Sequence, residues 1–455
     1  MLGTDDHVTL QGAITGQVIA ADDGRWDAAR GAWNLLVDQR PAMVVLAADA
    51  FDVAATVRFA RANGLRVAPQ STGHGALSLG DLDATILLRT GGLDEVRIDP
   101  VARTARVGAG VRWREVVDAA AEHGLVALHG SAASVGVVGY TLGGGLGWLA
   151  RREGLAAHHV RYFEVVTADG ELRRVDAGSD PELFWALRGG GGGQAIVTAL
   201  EFELFPLTEA FAGSLLWPIG DAERIVHGYR EWVASVPESV TSTLKLMRFP
   251  DLVHVPAPLR GREIVGVTLA FTGSETAGRA LVRPLTEFAE PFLDSLAPVP
   301  GAALAEIAGD PPGPVPGLGD GCLLGELSIA ACERLLELAG PGVQTPLLGV
   351  QVRHLGGALR RPPAGAGAAG AIDAEALVYG VGICPHDGAR HAVRASLHAL
   401  GDKLAPFAAD RAFLSFNEHD RRLTASFPDP VADRLAASIR AYDPDGLFQA
   451  NHLGR

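Results

Sequence analysis

A chain of 455 residues is too long for one compact core, so two or more domains are expected. Nearly half of it is apolar and a fifth charged, as in a globular protein, and the formal charge of −14 argues against nucleic acid or an anionic membrane as partner. No apolar run is long enough to span a bilayer, Met1 to Gln11 lacks the apolar stretch of a signal peptide, and Cys322, Cys332 and Cys384, odd in number and without metal spacing, read as reduced thiols of a cytoplasmic protein.

Taken in order, Ala42 to Ala47 is an apolar, partly β-branched run that predicts a buried strand. Asp49 can cap a following helix with Val53, Val57 and Ala60 on one face and Gly64 at its end. Leu65 to Ala68 is then the second strand of a βαβ unit, stopped by Pro69. The loop Gln70-Ser71-Thr72-Gly73-His74-Gly75 follows at the carboxyl end of that strand, where ligands of such units sit. Ala84 to Leu88 is another apolar run, and Val96 to Ile98 with Thr104 to Val107 predict a hairpin across Asp99-Pro100. Val111 to His123 predicts a helix burying Trp113, Val116, Val117 and Ala120. Val160 to Thr167 and Ile196 to Phe205 predict strands. Beyond Pro206, Ile264 to Phe271, Gly349 to Arg353, Ala376 to Ile383 and Ala412 to Phe416 read as strands. Gly278 to Leu293, Ala389 to Leu404 and Val431 to Ala441 read as helices. Pro298 to Gly321 is expected as an exposed loop, and Arg361 to Ala371, nearly all Gly, Ala and Pro, as a mobile excursion.

Two glycine-rich stretches stand out, Gly130 to Gly147 and Gly189 to Gly193. So many glycines cost chain entropy and suit close approach of backbone to a flat or charged group. Gly145-x-Gly147-x-x-Ala150 matches a dinucleotide fingerprint, but its strand–turn–helix context is poor. There is no Walker P-loop, no His-x-x-x-His or Cys-x-x-Cys metal pattern and no Gly-x-Ser-x-Gly elbow.

The loop Thr72-Gly73-His74-Gly75 and the run Val135-Gly136-x-x-Gly139-Tyr140-x-Leu142-Gly143-Gly144-Gly145-x-Gly147 resemble the flavin-binding half of the berberine-bridge-enzyme-like oxidases. These belong to the vanillyl-alcohol oxidase/p-cresol methylhydroxylase superfamily. Arg151-x-x-Gly154-Leu155, Glu164 to Gly170 and Leu183 to Gly191 continue the pattern. Arg353 to Ala358 is similar to a substrate-domain motif, and Tyr442-Asp443-Pro444 with Phe448, Asn451 and His452 to the C-terminal signature. The resemblance implies an α+β chain. A two-subdomain FAD-binding domain of the p-cresol methylhydroxylase type occupies 1–207, an α/β substrate domain with an antiparallel sheet over the flavin 208–418, and a C-terminal segment, 419–455, returns to the first domain.

The resemblance also implies FAD bound covalently through His74, with Gln70, Ser71, Thr72, Gly73 and Gly75 around the tether. Val135, Gly136, Gly139, Tyr140, Gly143, Gly144 and Gly145 would lie along the flavin, with Tyr140 on its pyrimidine side. Gly189 to Gly193, Ile196 and Val197 would wrap the adenosine diphosphate, and Asn451 would close the site. A histidyl tether makes the flavin a stronger oxidant. Val at 135 is implied to admit oxygen. Ala132 stands where many relatives have a second, cysteinyl attachment, Gln70 replaces a frequent Arg, Gly193-Gln194-Ala195 a frequent Asn-Phe-Gly, His158 a common Asp and Leu453-Gly454 a frequent Asn-Ile.

Phe413 stands where bacterial relatives carry Tyr, often the general base, and Phe cannot take a proton. Phe413, Ser415 and Asn417 are expected on one strand face and Gln351 with Arg353 on another, all as substrate-pocket candidates. Tyr379 is the candidate proton acceptor, its pKa lowered by Arg353; the alternative is a core or edge tyrosine bonded to backbone. The expectation is an FAD-dependent oxidase, monomer or homodimer, that oxidises an alcohol, sugar or secondary metabolite. Hydride passes to flavin N5 and O2 is reduced to H2O2. The rivals are a same-fold dehydrogenase, a redox-neutral flavin-holding cyclase and a nicotinamide-dependent enzyme.

Overall fold

The computed structural model describes residues 4–253, 255–311, 313–418 and 422–451; His452, Leu453 and Gly454 lie outside the described residues. The first sheet has the order β1-β2-β4-β3, with β1 at Gln17–Ile19, β2 at Met43–Leu46, β3 at Arg66–Gln70 and β4 at Thr85–Arg89. Both β2 and β3 run parallel to β4. The helix Ala50–Ala62 makes the crossover between β2 and β3, with the Asp49 carboxylate accepting from the N–H groups of Phe51 and Asp52. Its Val53, Val57 and Ala60 are fully buried.

β3 does not stop before Pro69. It is the edge strand, and Val67 bonds outward to Leu447 and Gln449 of the C-terminal segment. By the two-residue period the Pro69 nitrogen faces that same outer side, so no bond to β4 is lost. The C-terminal segment is pinned there by Gln449, whose amide donates to Leu79 O at 2.8 Å and Asp81 O at 2.7 Å.

The second sheet is antiparallel, in the order β5-β6-β9-β7-β8, with β5 at Val96–Asp99, β6 at Thr104–Gly108, β7 at Val160–Val166, β8 at Leu172–Val175 and β9 at Ile196–Glu203. The helix Trp113–Ala121 buries the four residues its period predicts. One apolar core joins both sheets.

The remaining part is an eight-stranded sheet. Its strands are β10 (Glu209–Pro218), β11 (Val240–Arg248), β12 (Glu263–Phe271), β13 (Leu293–Asp294), β14 (Ala297–Pro300), β15 (Gly317–Leu324), β16 (Gly349–His354) and β17 (Ala376–Ile383). They run β13-β10-β12-β11-β16-β17-β15, with β14 also on β10. Leu244, Leu246, Val350, Val352 and Val378 point to one face, where they pack with residues of the helices Ala222–Val233, Glu275–Phe288, Ile329–Ala339 and Asp387–Leu404. The opposite face carries Ala210, Ala212, Ala270, Leu323 and Leu377 onto Leu146 to Ala156 of the first part. Arg151 crosses this junction, donating to Leu355 O at 2.9 Å and Pro237 O at 3.0 Å, and also to Val240 O.

Three further expectations fail for physical reasons. Pro298 to Gly321 is not an exposed loop: it holds most of β14, a buried turn at Leu304 and Ala305, and the start of β15. Pro298 and Pro300 are tolerated because β14 is a short edge strand. Arg361 to Ala371 is docked rather than free, since Ala368 N and Ala369 N donate to Trp185 O and Arg188 O. Its small residues let backbone meet backbone beside Gly189. Ala412 to Phe416 is not a strand. Phe416 N closes a turn on Phe413 O, and Leu414–Phe416 is a 3-10 turn.

Candidate functional site

The His74 loop leaves the end of β3 between the two parts. The imidazole stacks on the Trp33 indole, with centroids 4.1 Å apart and an interplanar angle of 17°. Trp33 N donates to Thr72 O at 2.9 Å, which fixes the stack to the loop's own backbone. Thr72 Oγ1 lies 2.8 Å from His74 Nδ1 and Ser134 Oγ 3.5 Å from Nε2. Burial pulls the imidazole pKa down to about 4 despite the opposing charge of Asp310, so His74 is neutral at neutral pH. Gly73 has φ +82° and an added Cβ would sit 2.8 Å from Ala32 Cβ, which makes glycine a requirement of the turn. At Gly75 a Cβ would lie 2.6 Å from the Asn451 amide nitrogen, so the C-terminal segment reaches the loop. The Gln70 amide is paired with that of Gln39 at 2.9 and 3.0 Å. Ser71 packs on Gly136, where a Cβ would meet its Oγ at 2.9 Å.

Val135 is half-buried beside this loop, its carbonyl accepting from Trp113 N at 3.0 Å. Gly136 leads into the short helix Val137–Leu142, which sequence reading left unassigned. Gly139 faces open space there, with no atom of the described residues within 4 Å of an added Cβ. Tyr140 is packed among glycines: a Cβ at Gly130 or Gly145 would come within 2.9 or 2.7 Å of its ring, and its hydroxyl donates to Leu128 O at 3.1 Å. Gly143 receives Ser415, whose Oγ donates to Gly143 O at 3.0 Å, and Gly144 lies against Phe413.

The expected strand face of Phe413, Ser415 and Asn417 does not form, because Leu414–Phe416 is a 3-10 turn. Phe413 is buried in an apolar cluster with Leu146, Leu323 and Leu377. Ser415 is on Gly143, and Asn417 is buried, donating to Ser426 Oγ at 3.2 Å. The second expected set does come together. Lys245, Gln351, Tyr379 and Gly321 form one rung across β11, β16, β17 and β15, and Thr243 and Arg353 lie on the next same-face rung. This is the face that meets the glycine-rich segment. Arg353 donates to Gln351 Oε1 at 3.1 Å, stacks 4.8 Å over Phe416, and lines a cavity of about 20 Å³ with Ser131, Leu146, Gly147 and Thr243. That volume suits about one water.

Sequence reading missed three charged residues here. Lys245, one of only two lysines in the chain, donates to Ala308 O at 2.8 Å, and burial pulls its pKa down to about 8. A lysine between Leu244 and Leu246 in an alternating strand was the available signal. Asp310 acts electrostatically on His74, Lys245 and Arg353 alike. Glu418 accepts from the Tyr379 hydroxyl at 3.2 Å on Oε1 and from Gly319 N at 3.3 Å on Oε2. Burial pushes its pKa up to about 7. The expectation that Arg353 lowers the Tyr379 pKa is corrected: burial and the Glu418 carboxylate outweigh Arg353 and hold the phenol well above its usual value.

The residues present fit a flavin dinucleotide. A neutral imidazole carries a lone pair on one of its two ring nitrogens, and the Nε2 contact to Ser134 is long at 3.5 Å. Gly139 leaves room for close approach of backbone. At the end of Gly189–Gly193, Gln194 is fully buried and both its amide atoms lack a partner among the described residues. Burying an unpaired amide is costly, so a polar group outside the protein answers it better than none. Ile196 and Val197 begin β9, paired with Val166 and Val165, and their side chains are in the core. Among the described residues no cluster of His, Cys, Asp or Glu is arranged to hold a metal ion, and no helix is long and apolar enough to cross a membrane.

Residues 41–176 match the FAD binding domain family. The chain is 36% identical over 206 residues to (R)-6-hydroxynicotine oxidase of Paenarthrobacter nicotinovorans, a match covering 45% of each chain. The sequence matches span about half the length of the relatives they reach. In three dimensions, 6-hydroxy-D-nicotine oxidase from Arthrobacter nicotinovorans superposes with TM-score 0.83 at 24% identity over 98% of both chains. Berberine bridge enzyme from Eschscholzia californica superposes with TM-score 0.81 at 18% identity over 97% of both. The chain therefore carries an FAD-binding domain in a mixed α/β flavoprotein fold. More narrowly, its fold is the one shared by 6-hydroxy-D-nicotine oxidase and berberine bridge enzyme, and the relatives it matches in sequence include FAD-linked oxidases and oxidoreductases.

Proposed function

We propose that the protein is an FAD-linked oxidase of a small alcohol- or amine-bearing molecule, with its flavin tethered through His74. The observation that carries the reading is the neutral His74 imidazole, clamped between Trp33 and Thr72 at the carboxyl end of a strand of the FAD-binding domain. Held at the His74 loop and the glycine-rich segment, a flavin would supply two-electron oxidation of a substrate C–H bond, with dioxygen as the final acceptor. The chain's own work is positional. Trp33 and Thr72 orient His74, the glycines let backbone approach the cofactor, and the face with Lys245, Gln351 and Arg353 presents polar groups to the substrate. The oxidation of a hydroxynicotine by the relative named above supports a substrate with a C–H next to oxygen or nitrogen. Unpaired Cys322, Cys332 and Cys384 suit a reducing, cytoplasmic compartment.

The test is the visible spectrum of the purified protein before and after acid precipitation, followed by a substrate screen read by peroxide. Flavin that stays with the precipitated chain, and that is bleached anaerobically by a substrate yielding peroxide in air, is the expected result. A colourless protein, or flavin that no substrate bleaches, removes the reading. Val135→Leu tests the oxygen step separately. Its extra methylene beside the loop should slow reoxidation by oxygen roughly 10-fold or more, the discrimination one methylene gives in a packed site, while anaerobic reduction stays near wild type. Equal reoxidation rates would remove the gating role.

A further inference from the structure

Resting on the oxidase reading, two protons and two electrons must leave the substrate, and the hydride accounts for only one of the protons. We propose that Tyr379 and Glu418 form one proton-accepting unit. The Tyr379 hydroxyl takes the substrate's O–H or N–H proton as its own phenolic proton moves to Glu418 Oε1.

The geometry supports a relay rather than either residue alone. Tyr379 is on the sheet face that meets the glycine-rich segment, in the rung Lys245–Gln351–Tyr379. Its ring stands edge-on to Phe416, 5.3 Å between centroids, and Phe416 in turn lies under Arg353. The hydroxyl donates to Glu418 Oε1 at 3.2 Å, Oε2 is held by Gly319 N at 3.3 Å, and Glu418 N donates to Asp320 Oδ1 at 3.3 Å. The carboxylate is thus fixed on both oxygens, and a proton from the substrate side reaches it through the phenol. Tyr379 cannot hold the negative charge itself, since burial, the Glu418 carboxylate and Asp320 all oppose a phenolate and only Arg353 favours it. In the relay it stays neutral throughout.

Glu418 is suited to the receiving end. Burial and Asp320 raise its pKa to about 7, while the bonds from Gly319 and Tyr379 hold it back. It is therefore part-ionised at neutral pH, which is where a general base is most effective. The other charges facing the unit are Arg353, itself under the influence of Asp310 and Tyr140, and Lys245 along the rung. The balance closes. The substrate C–H bond breaks with its electron pair going to the bound flavin. The O–H or N–H proton ends on Glu418, and the substrate leaves with a C=O or C=N bond. Glu418 returns its proton as dioxygen is reduced to peroxide.

The test uses the holoprotein and anaerobic single-turnover reduction of the flavin as a function of pH. In wild type the rate should rise through an inflection near the Glu418 pKa of about 7. Glu418→Gln and Tyr379→Phe should each lose that inflection and fall by roughly 10²-fold or more, the usual contribution of a positioned base. The double variant should be little slower than either single one. Infrared difference spectra across the same pH range supply a readout free of turnover: a protonated-carboxyl band should titrate in wild type and vanish in Glu418→Gln. Tyr379→Phe removes one hydroxyl and keeps the ring on Phe416, so it stands in should Glu418→Gln fold poorly. Variants that keep the inflection or the rate, losses that multiply in the double variant, or no titrating band each overturn the pair. A wild-type flavin that no substrate bleaches overturns the oxidase reading instead, which tells the two failures apart.

Discussion

His74→Ala should yield a protein whose flavin is released completely by acid, against retention by wild type. No other imidazole of the described loop can substitute: the Ser134 and Thr72 hydroxyls that face His74 form no such bond, and Ala132 carries no sulfur. Non-covalent contacts would still hold some cofactor, so the variant should remain partly yellow and lose colour on dilution and gel filtration. Removing the tether also removes its electron withdrawal, so anaerobic reduction should slow even at full occupancy. The pH dependence has a definite sign. The His74 pKa is depressed from 6.5 to about 4 in the folded protein. Its contribution to stability is therefore present above pH 6.5 and is lost as pH falls through about 4. Tether formation, which needs the neutral ring, should be indifferent to pH near neutrality and fail towards that lower value. His74→Ala should flatten the acid limb of the stability profile. Measurement is by flavin absorbance in supernatant and pellet after acid precipitation, and by thermal melts across pH. Flavin still fixed to the His74→Ala chain would overturn the assignment.

The parts of the fold legible in the sequence are those set by local period and local turns. The helix Ala50–Ala62 announces itself by Asp49, Val53, Val57 and Ala60, and the hairpin at Asp99 by its own side chain, which accepts from Val101 N and Ala102 N. The His74 loop and the Gly130–Gly147 stretch stood out in the sequence through their glycines, and the family pattern those glycines resemble is what attached the proposed cofactor chemistry to them. What failed was set by contacts distant in sequence. Pro- and Gly-rich segments look free until an edge strand or a small-residue surface receives them, as β10 receives Ala297–Pro300 and as Arg188 receives Ala369. The run Phe413 to Asn417 alternates like a strand, but Gly143 draws Ser415 out and a 3-10 turn results. Glu418 meets Tyr379 only because β15 and β17 pair, and Trp33 meets His74 across a loop that no motif marks.

Gly145→Ala and Gly139→Ala should separate what the glycines do for folding from what they do for the cofactor. Gly145 has φ +78°, and an added Cβ would lie 2.7 Å from both Ala156 Cβ and the Tyr140 ring. The left-handed backbone costs about 1–2 kcal/mol for an L-residue, and overpacking a filled site a further ~1–3 kcal/mol. Neither neighbour yields easily: Tyr140 is also held by its bond to Leu128 O and by an edge contact with Trp113, 5.3 Å between centroids. The expected loss is thus about 2–5 kcal/mol, a large part of a domain's stability, whether or not flavin is present. Gly139 is the opposite case. It is in a helix, has no positive φ, and an added Cβ meets nothing within 4 Å among the described residues. Alanine there should stabilise the flavin-free chain by about 0.5–1 kcal/mol, because glycine loses more conformational entropy in a helix. Yet if the open space at Gly139 is where backbone approaches the cofactor, the same methyl should lower flavin occupancy. Melting curves and flavin-to-protein ratios of the two variants decide the matter. A Gly139→Ala protein with full flavin would move the cofactor away from this helix, whatever Gly145→Ala does.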